Sequence, residues 1–314
     1  MSLDFFTVAS NLISLFALIA AGYIAVKTGA LKPESSPYFS ALLLKITLPC
    51  TIFVSLVTRE YNSSFAHDGI TIIIAGMIAF PAMMYTSRVL ARIFHVPEGR
   101  RGVWAFICAY SNSGFMGFPI ALALFGTEGL ALSVMLNVSF NITLYTLGAM
   151  ELIRDNPNHE SEGLDVKSII FSNINIATAL SLIFYFGRIN VPSAVIVPLK
   201  YLSDVTTPIS MVIIGMALAH SKASSLFTDI HAWTASAFRL IIYPVILCGI
   251  LRFIPLSDNR LVAAILILIN AMPGASVTAV LSEMYGADVD FAARIMFIQN
   301  LACMVTIPAV CMLI

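Results

Sequence analysis

Charge is what this chain has least of. Asp, Glu, Lys and Arg make up only 11% of its 314 residues, and 17 basic side chains balance 17 acidic ones. With no basic excess to release counterions, nucleic acid is not an expected partner. Cysteine is sparse. The five residues Cys50, Cys108, Cys248, Cys303 and Cys311 all fall in apolar runs without metal-ligand spacing, which reads as buried packing. Enzyme signatures are missing: there is no His-Glu-x-x-His, no Gly-x-Ser-x-Gly and no P-loop. The five histidines, His67, His95, His159, His220 and His231, sit in loops or at the ends of apolar runs. No catalytic residue, metal site or cofactor is expected. Met1 to Asp4 carries no basic cluster, so the first apolar run is expected to be a retained span rather than a cleaved signal.

What the chain has instead is apolar length. Hydrophobic residues make up 59% of it, and the mean hydropathy is +0.92. Such a composition excludes a soluble domain and predicts an all-α polytopic membrane protein. Stretches near 20 apolar residues predict ten spans, approximately at 5–26, 37–57, 69–93, 102–125, 129–151, 168–187, 197–219, 231–253, 260–284 and 289–313. The longest polar stretch, Arg154 to Lys167, reads as a linker between residues 1–151 and 168–314.

Those two parts read as repeats. Thr47-Leu48-Pro49 matches Thr206-Thr207-Pro208, and Phe80-Pro81 matches Tyr243-Pro244. Phe125-Gly126 matches Tyr285-Gly286, and Ser10-Asn11 matches Ser172-Asn173. The offsets, 208 − 49 = 159, 244 − 81 = 163, 286 − 126 = 160 and 172 − 10 = 162, nearly coincide. Five spans per repeat is an odd number, so the second repeat enters the membrane from the opposite side and the repeats are inverted. Loops on the side of the termini hold Arg59, Arg188, Lys200, Arg252 and Arg260. The other side holds Lys27, Lys32, Arg88, Arg92, Arg100, Arg101, Arg154, Lys167 and Lys222, which predicts a cytoplasmic linker and both termini outside a cell (plasma or inner) membrane.

Two spans are damaged as helices. Ser111 to Pro119 places two glycines, a proline and small polar residues inside an apolar run, and Asn270 to Ser276 does the same far downstream. Proline removes a backbone donor and glycine adds backbone freedom. In hydrocarbon the freed groups need partners, so such breaks persist where protein or a cavity supplies them. Two breaks in matching positions point to a transporter's substrate site. The expected substrate-binding residues are Asn112, Ser113, Gly114 and Pro119 in the first break and Asn270, Met272, Pro273, Gly274 and Ser276 in the second. Half-helix ends there favour an anion without a fixed cation, and asparagine supplies donors as well as acceptors. The alternative is that these glycines and prolines kink the helices for packing alone.

Ser133, Asn137 and Asn141 recur every four residues on one helix face, with Gln299, Asn300 and Thr306 in the last span. They line the site or bond across helices. Lys45 and Asp204 each precede a repeated proline by four residues. A charge in the membrane invites a coupling role, against which stands a snorkelling lysine and a solvated aspartate. Glu283 is a weaker candidate for proton coupling, and an ion pair between Glu283 and Arg294 is also expected.

Asn112 to Pro119 resembles the Asn-x-Gly-x-x-Gly-x-Pro signature of the auxin efflux carrier family, which includes plant PIN auxin carriers and bacterial malonate and malate permeases. Gly126 to Ala131, Thr47 to Pro49, Met272-Pro273 with Glu283 to Tyr285, and Thr306 to Pro308 are similar to that family too, in order and over essentially the whole chain. The large cytoplasmic loop of long plant carriers is missing, as in compact bacterial members. The resemblance implies a bile-acid-symporter or sodium/proton-antiporter-like fold of ten helices. In it spans 1, 2, 6 and 7 form a scaffold, and spans 3–5 and 8–10 form a transport domain. It implies that helices 4 and 9 cross at Pro119 and Pro273 and that Asn112 binds the substrate carboxylate. It also implies elevator-type movement and a homodimer through the scaffold. Lys45 departs from the apolar or amide residue expected before Thr47-Leu48-Pro49. The expected function is secondary transport of a small organic anion, a mono- or dicarboxylate. No acidic residue stands at the centre of either break, which argues against a carboxylate-based sodium site and leaves proton coupling or uncoupled movement. A sodium-coupled bile-acid-type symporter and a membrane receptor that does not transport are the alternatives.

Overall fold

A computed structural model describes residues 5–155, 171–220 and 229–314. Met1 to Asp4, His159, Lys167 and Lys222, and with them most of the expected linker, lie outside the described residues. Everything described is helix, turn or loop apart from one isolated antiparallel bridge between Ser111 and Gly274. The helices are α1 (Phe5–Lys27), α2 (Ser36–Leu42), α3 (Leu48–Val57), α4 (Ser63–Ile93), α5 (Arg101–Ala109), α6 (Phe118–Thr143) and α7 (Ala149–Asp155). They are followed by α8 (Asn173–Phe186), α9 (Ser193–Asp204), α10 (Thr206–His220), α11 (Ile230–Ala237), α12 (Tyr243–Phe253), α13 (Arg260–Asn270), α14 (Thr278–Met284) and α15 (Val289–Cys311).

A helix rises 1.5 Å per residue, so about 20 apolar residues cross a hydrocarbon core near 30 Å thick. Seven described helical stretches are long and apolar enough: 10–27, 36–57, 63–93, 113–155, 193–219, 230–253 and 289–311. The apolar helices α8 and α13 are shorter. The chain is therefore a polytopic, multi-pass membrane protein. The 113–155 stretch is 43 residues long and is interrupted at Gly126, whose φ of 66° and ψ of −161° leave the helical region.

Proline sets much of the local detail. π-helical turns at Leu43–Thr47 and Phe238–Ile242 lead directly into Leu48-Pro49 and Tyr243-Pro244. Pro49 brings no N–H to the Lys45 carbonyl, and the Asn173 side chain donates to that carbonyl at 2.9 Å instead. Helix starts are capped by side chains where the sequence offers them. Ser172 accepts from the Asn175 N–H, Asp229 from His231, Asn259 from Leu261 and Asp288 from Phe291.

The chain divides into two compact units, each with its own core. The first comprises 1–71, 114–138 and 166–221; the second comprises 72–113, 139–165 and 222–314. In the first unit α1 lies against α10 so closely that a Cβ on Gly22 would strike the Val212 carbonyl, and one on Gly215 the Ile19 carbonyl. Thr51 Oγ1 meets Thr206 Oγ1 at 2.7 Å and ties α3 to the start of α10. Asn11 Nδ2 donates to the Ala123 carbonyl at 2.6 Å.

In the second unit an ionic cluster joins three helix starts. Arg100, preceding α5, pairs with Asp288 at 2.7 Å and Asp229 at 3.5 Å. Arg294 of α15 pairs with Asp229 at 3.1 Å. The expected partner of Arg294, Glu283, is exposed and makes no ion pair among the described residues. Asp229 takes its place because the cap it forms on α11 holds its largely buried carboxylate beside α15. Alanine at Arg100 is expected to cost about 1 kcal/mol, since Asp229 keeps Arg294. Removing both arginines is expected to cost more than the sum of the single changes, because the Asp229 carboxylate is then left unpaired. Thermal unfolding of the two single variants and the double variant measures this; strict additivity would rule it out.

Candidate functional site: two helix breaks held by a buried arginine

Helix α5 stops at Ala109, and Tyr110 turns to extended backbone with φ −110° and ψ 126°. Helix α13 stops at Asn270. The groups that each break frees are taken by the other. The Asn112 N–H donates to the Pro273 carbonyl at 2.7 Å, and the Ala275 N–H donates to the Tyr110 carbonyl at 3.0 Å. This is a minimal antiparallel pairing, and it answers the demand that no backbone group in hydrocarbon go unmet. The pairing falls at Ser111 and Gly274. Pro273 is thus at the meeting point, whereas the first break contributes residues upstream of Pro119. Pro119 lies in the next helical turn, just after the π-helical turn Ser113–Gly117.

Gly274 is pinned from a third side. Its N–H donates to Gln299 Oε1 of α15 at 2.6 Å, and a Cβ there would stand 2.9 Å from Ile107 Cγ2 and 3.0 Å from that same oxygen. Gln299 is fully buried, and its Nε2 has no hydrogen-bond partner among the described residues. Ser111 Oγ and Asn270 Oδ1 are likewise buried and without a partner among the described residues. Asn270 Nδ2 donates to the Leu266 carbonyl at 2.8 Å.

The meeting point contains a fixed cation, contrary to the sequence expectation. Arg239, in the π-helical turn between α11 and α12, is 0% exposed. Its Nε donates to the Met272 carbonyl at 2.9 Å, its Nη1 to the Cys108 and Ala109 carbonyls at 3.1 Å each, and its Nη2 to the Ile269 carbonyl at 3.5 Å. It has no carboxylate partner among the described residues. Helix C-termini carry roughly half a negative charge each, so the ends of α5 and α13 together offset about one positive charge. The signal was legible: an arginine inside an apolar stretch, five residues before Pro244. Arg239 lies outside both breaks in sequence, so the breaks themselves do not point to it.

The other expected residues are distributed as follows. Asn112, Ser113, Met272, Pro273 and Gly274 are buried in the second unit with the features above, and Ser276 is half-buried beside them in sequence. Asn141 also belongs to that unit, whereas Gly114, Pro119 and Asn137 belong to the first. Ser133 bonds back to the Gly129 carbonyl of its own helix at 2.8 Å. Lys45 and Asp204 are exposed in the first unit and make no ion pair among the described residues.

A family model described as membrane transport protein matches residues 7–311. A protein of Methanocaldococcus jannaschii named as an uncharacterized transporter is 26% identical over 285 residues, covering 90% of this chain and 91% of its own length. A second uncharacterized transporter, from Methanothermobacter thermautotrophicus, is 25% identical over 306 residues, covering 95% of each chain. With nearly its whole length matched, the chain belongs to the membrane transport protein family, the auxin efflux carrier family that its motifs resemble, and is a transporter rather than an enzyme.

Proposed function

We propose that the protein is a secondary carrier of a small organic anion, a mono- or dicarboxylate, bound where the two broken helices meet. The observation that carries this is the pairing of Tyr110 to Asn112 with Pro273 to Ala275, flanked by buried, unpartnered Ser111 Oγ and Gln299 Nε2. Both groups can donate to a carboxylate, and Arg239 adds positive potential close by. Asn112 supplies a further amide at the same turn.

In this reading ten spans form two inverted repeats. Several paired features support it. Gly126 and Gly286 both adopt positive φ, 66° and 68°, at the offset 286 − 126 = 160 of the sequence match. Asn11 and Asn173 both donate side-chain amides to distant backbone carbonyls. Two short helices, α5 and α13, both end at breaks. Spans 1, 2, 6 and 7 make the scaffold, and the remaining spans make the transport domain, which moves as an elevator. One compact unit holds α1, α3, α8, α9 and α10 together with 114–138, so it is broader than spans 1, 2, 6 and 7 alone. The basic-residue bias puts both termini outside the cell membrane, and a homodimer forms through the scaffold.

Purified protein in liposomes is expected to take up labelled malonate, malate or indole-3-acetate with saturation. Asn112→Ala is expected to lower that uptake about 100-fold at normal expression, the value of an amide bond to a charged group. Flux no greater than in empty liposomes, for every carboxylate tried, would overturn the reading, and saturable binding without flux would favour a receptor.

A further inference from the structure

Four backbone carbonyls from two different helix ends converge on one cationic group. Cys108 and Ala109 end α5, Ile269 lies in the last turn of α13, and Met272 lies in the break that follows. The last carbonyls of a helix lack intrahelical partners and carry the negative end of its dipole. In membrane carriers such carbonyls, at half-helix ends and unwound backbone, are the ligands of a monovalent coupling cation. Here the group among them is the guanidinium of Arg239, fully buried and covalently part of the chain.

We propose that Arg239 is the resident occupant of a monovalent-cation site, so that this carrier binds no free sodium ion where its broken helices meet. The proposal rests on the site described above but needs no knowledge of the substrate. A second observation supports a cation site. Asn270 Oδ1, on the residue after Ile269, is fully buried and accepts from no donor among the described residues. An acceptor left bare in a dry interior is costly, and it is the kind of oxygen that a carbonyl-lined cation site adds to its ligands. Arginine suits the task because its charge persists in the interior and its planar fork reaches carbonyls on two helices at once.

The test is thermal unfolding of the detergent-solubilised protein in choline chloride, sodium chloride, and choline chloride with millimolar guanidinium. The unaltered protein is expected to melt at the same temperature in sodium and in choline. Arg239→Ala is expected to lose about 10 °C, and to regain at least half of that with saturable dependence on guanidinium or sodium. A loss with no saturable recovery would mean that the carbonyls do not form a cation site, and would overturn the proposal. So would saturable stabilisation of the unaltered protein by sodium. If Arg239→Ala yields no folded protein, Arg239→Lys serves. Its ammonium fills the cage with fewer bonds, so it is expected to melt below the unaltered protein and to ignore guanidinium; equal melting, or stabilisation by guanidinium, would count against the proposal. None of these readouts needs transport, so an incorrect substrate assignment leaves them intact.

Discussion

Leucine at Gly215 is expected to remove folded protein altogether or to lower its stability by about 3 kcal/mol or more. A Cβ at this position would meet the Ile19 carbonyl, with the Tyr23 nitrogen at 2.7 Å as the next obstacle. These are backbone atoms of α1, and backbone cannot rotate aside as a side chain does. The reciprocal contact of Gly22 with the Val212 carbonyl shows that both helices approach to the limit that hydrogen as a side chain allows. Packing of this kind substitutes for the hydrophobic effect inside a bilayer, where lipid tails are as apolar as leucine. Fluorescence-detected size exclusion and a melting curve measure the effect. Gly29 is the control: a Cβ there meets nothing within 4 Å, although its φ of 78° imposes a smaller backbone penalty. A Gly215→Leu variant that expresses and melts like the unaltered protein would show that α1 and α10 do not pack this closely in the membrane.

Glutamate at Gln299 is expected to separate transport from folding. It keeps the oxygen that accepts the Gly274 N–H at 2.6 Å, so the break remains pinned. It loses the buried amide donor and, when ionised, puts a negative charge where an anion is to bind. A hydrogen bond to a charged group is worth about 1.5–3 kcal/mol, so uptake is expected to fall roughly 10- to 100-fold. When protonated, the carboxyl becomes a donor again. The loss is therefore deepest at alkaline pH and shrinks as pH falls, relative to the unaltered protein measured at the same pH. Gln299→Leu, by contrast, leaves the Gly274 N–H without a partner and is expected to lower the melting temperature as well. Undiminished uptake by Gln299→Glu at pH 8 would remove Nε2 from the site.

Much of the architecture was legible because hydrocarbon is a severe solvent. It demands long apolar helices, so composition and run length reveal the spans. It tolerates breaks only where partners exist, so Ser111 to Pro119 and Asn270 to Ser276 stood out. The glycines at 126 and 286 were visible as matching punctuation, and both adopt positive φ. The fixed cation at the breaks was not expected, for a definite reason. Arg239 lies in neither break, and nothing local marks it as the group on which both converge.

The sequence by itself determined that this chain is a multi-pass membrane protein, where two of its helices break and which transport family it belongs to. Each of those rests on local chemistry: apolar length, proline and glycine, and a motif in order. Only the tertiary structure decided that Asn112 meets Pro273 and that Arg239 bonds carbonyls of residues as far as 131 positions away. It likewise decided that Gln299 holds Gly274 through Oε1 while its Nε2 meets no acceptor among the described residues. The physical reason is that backbone N–H and C=O groups are the same in nearly every residue. A break announces that such groups are free, but their partners are set by whichever segments packing brings alongside.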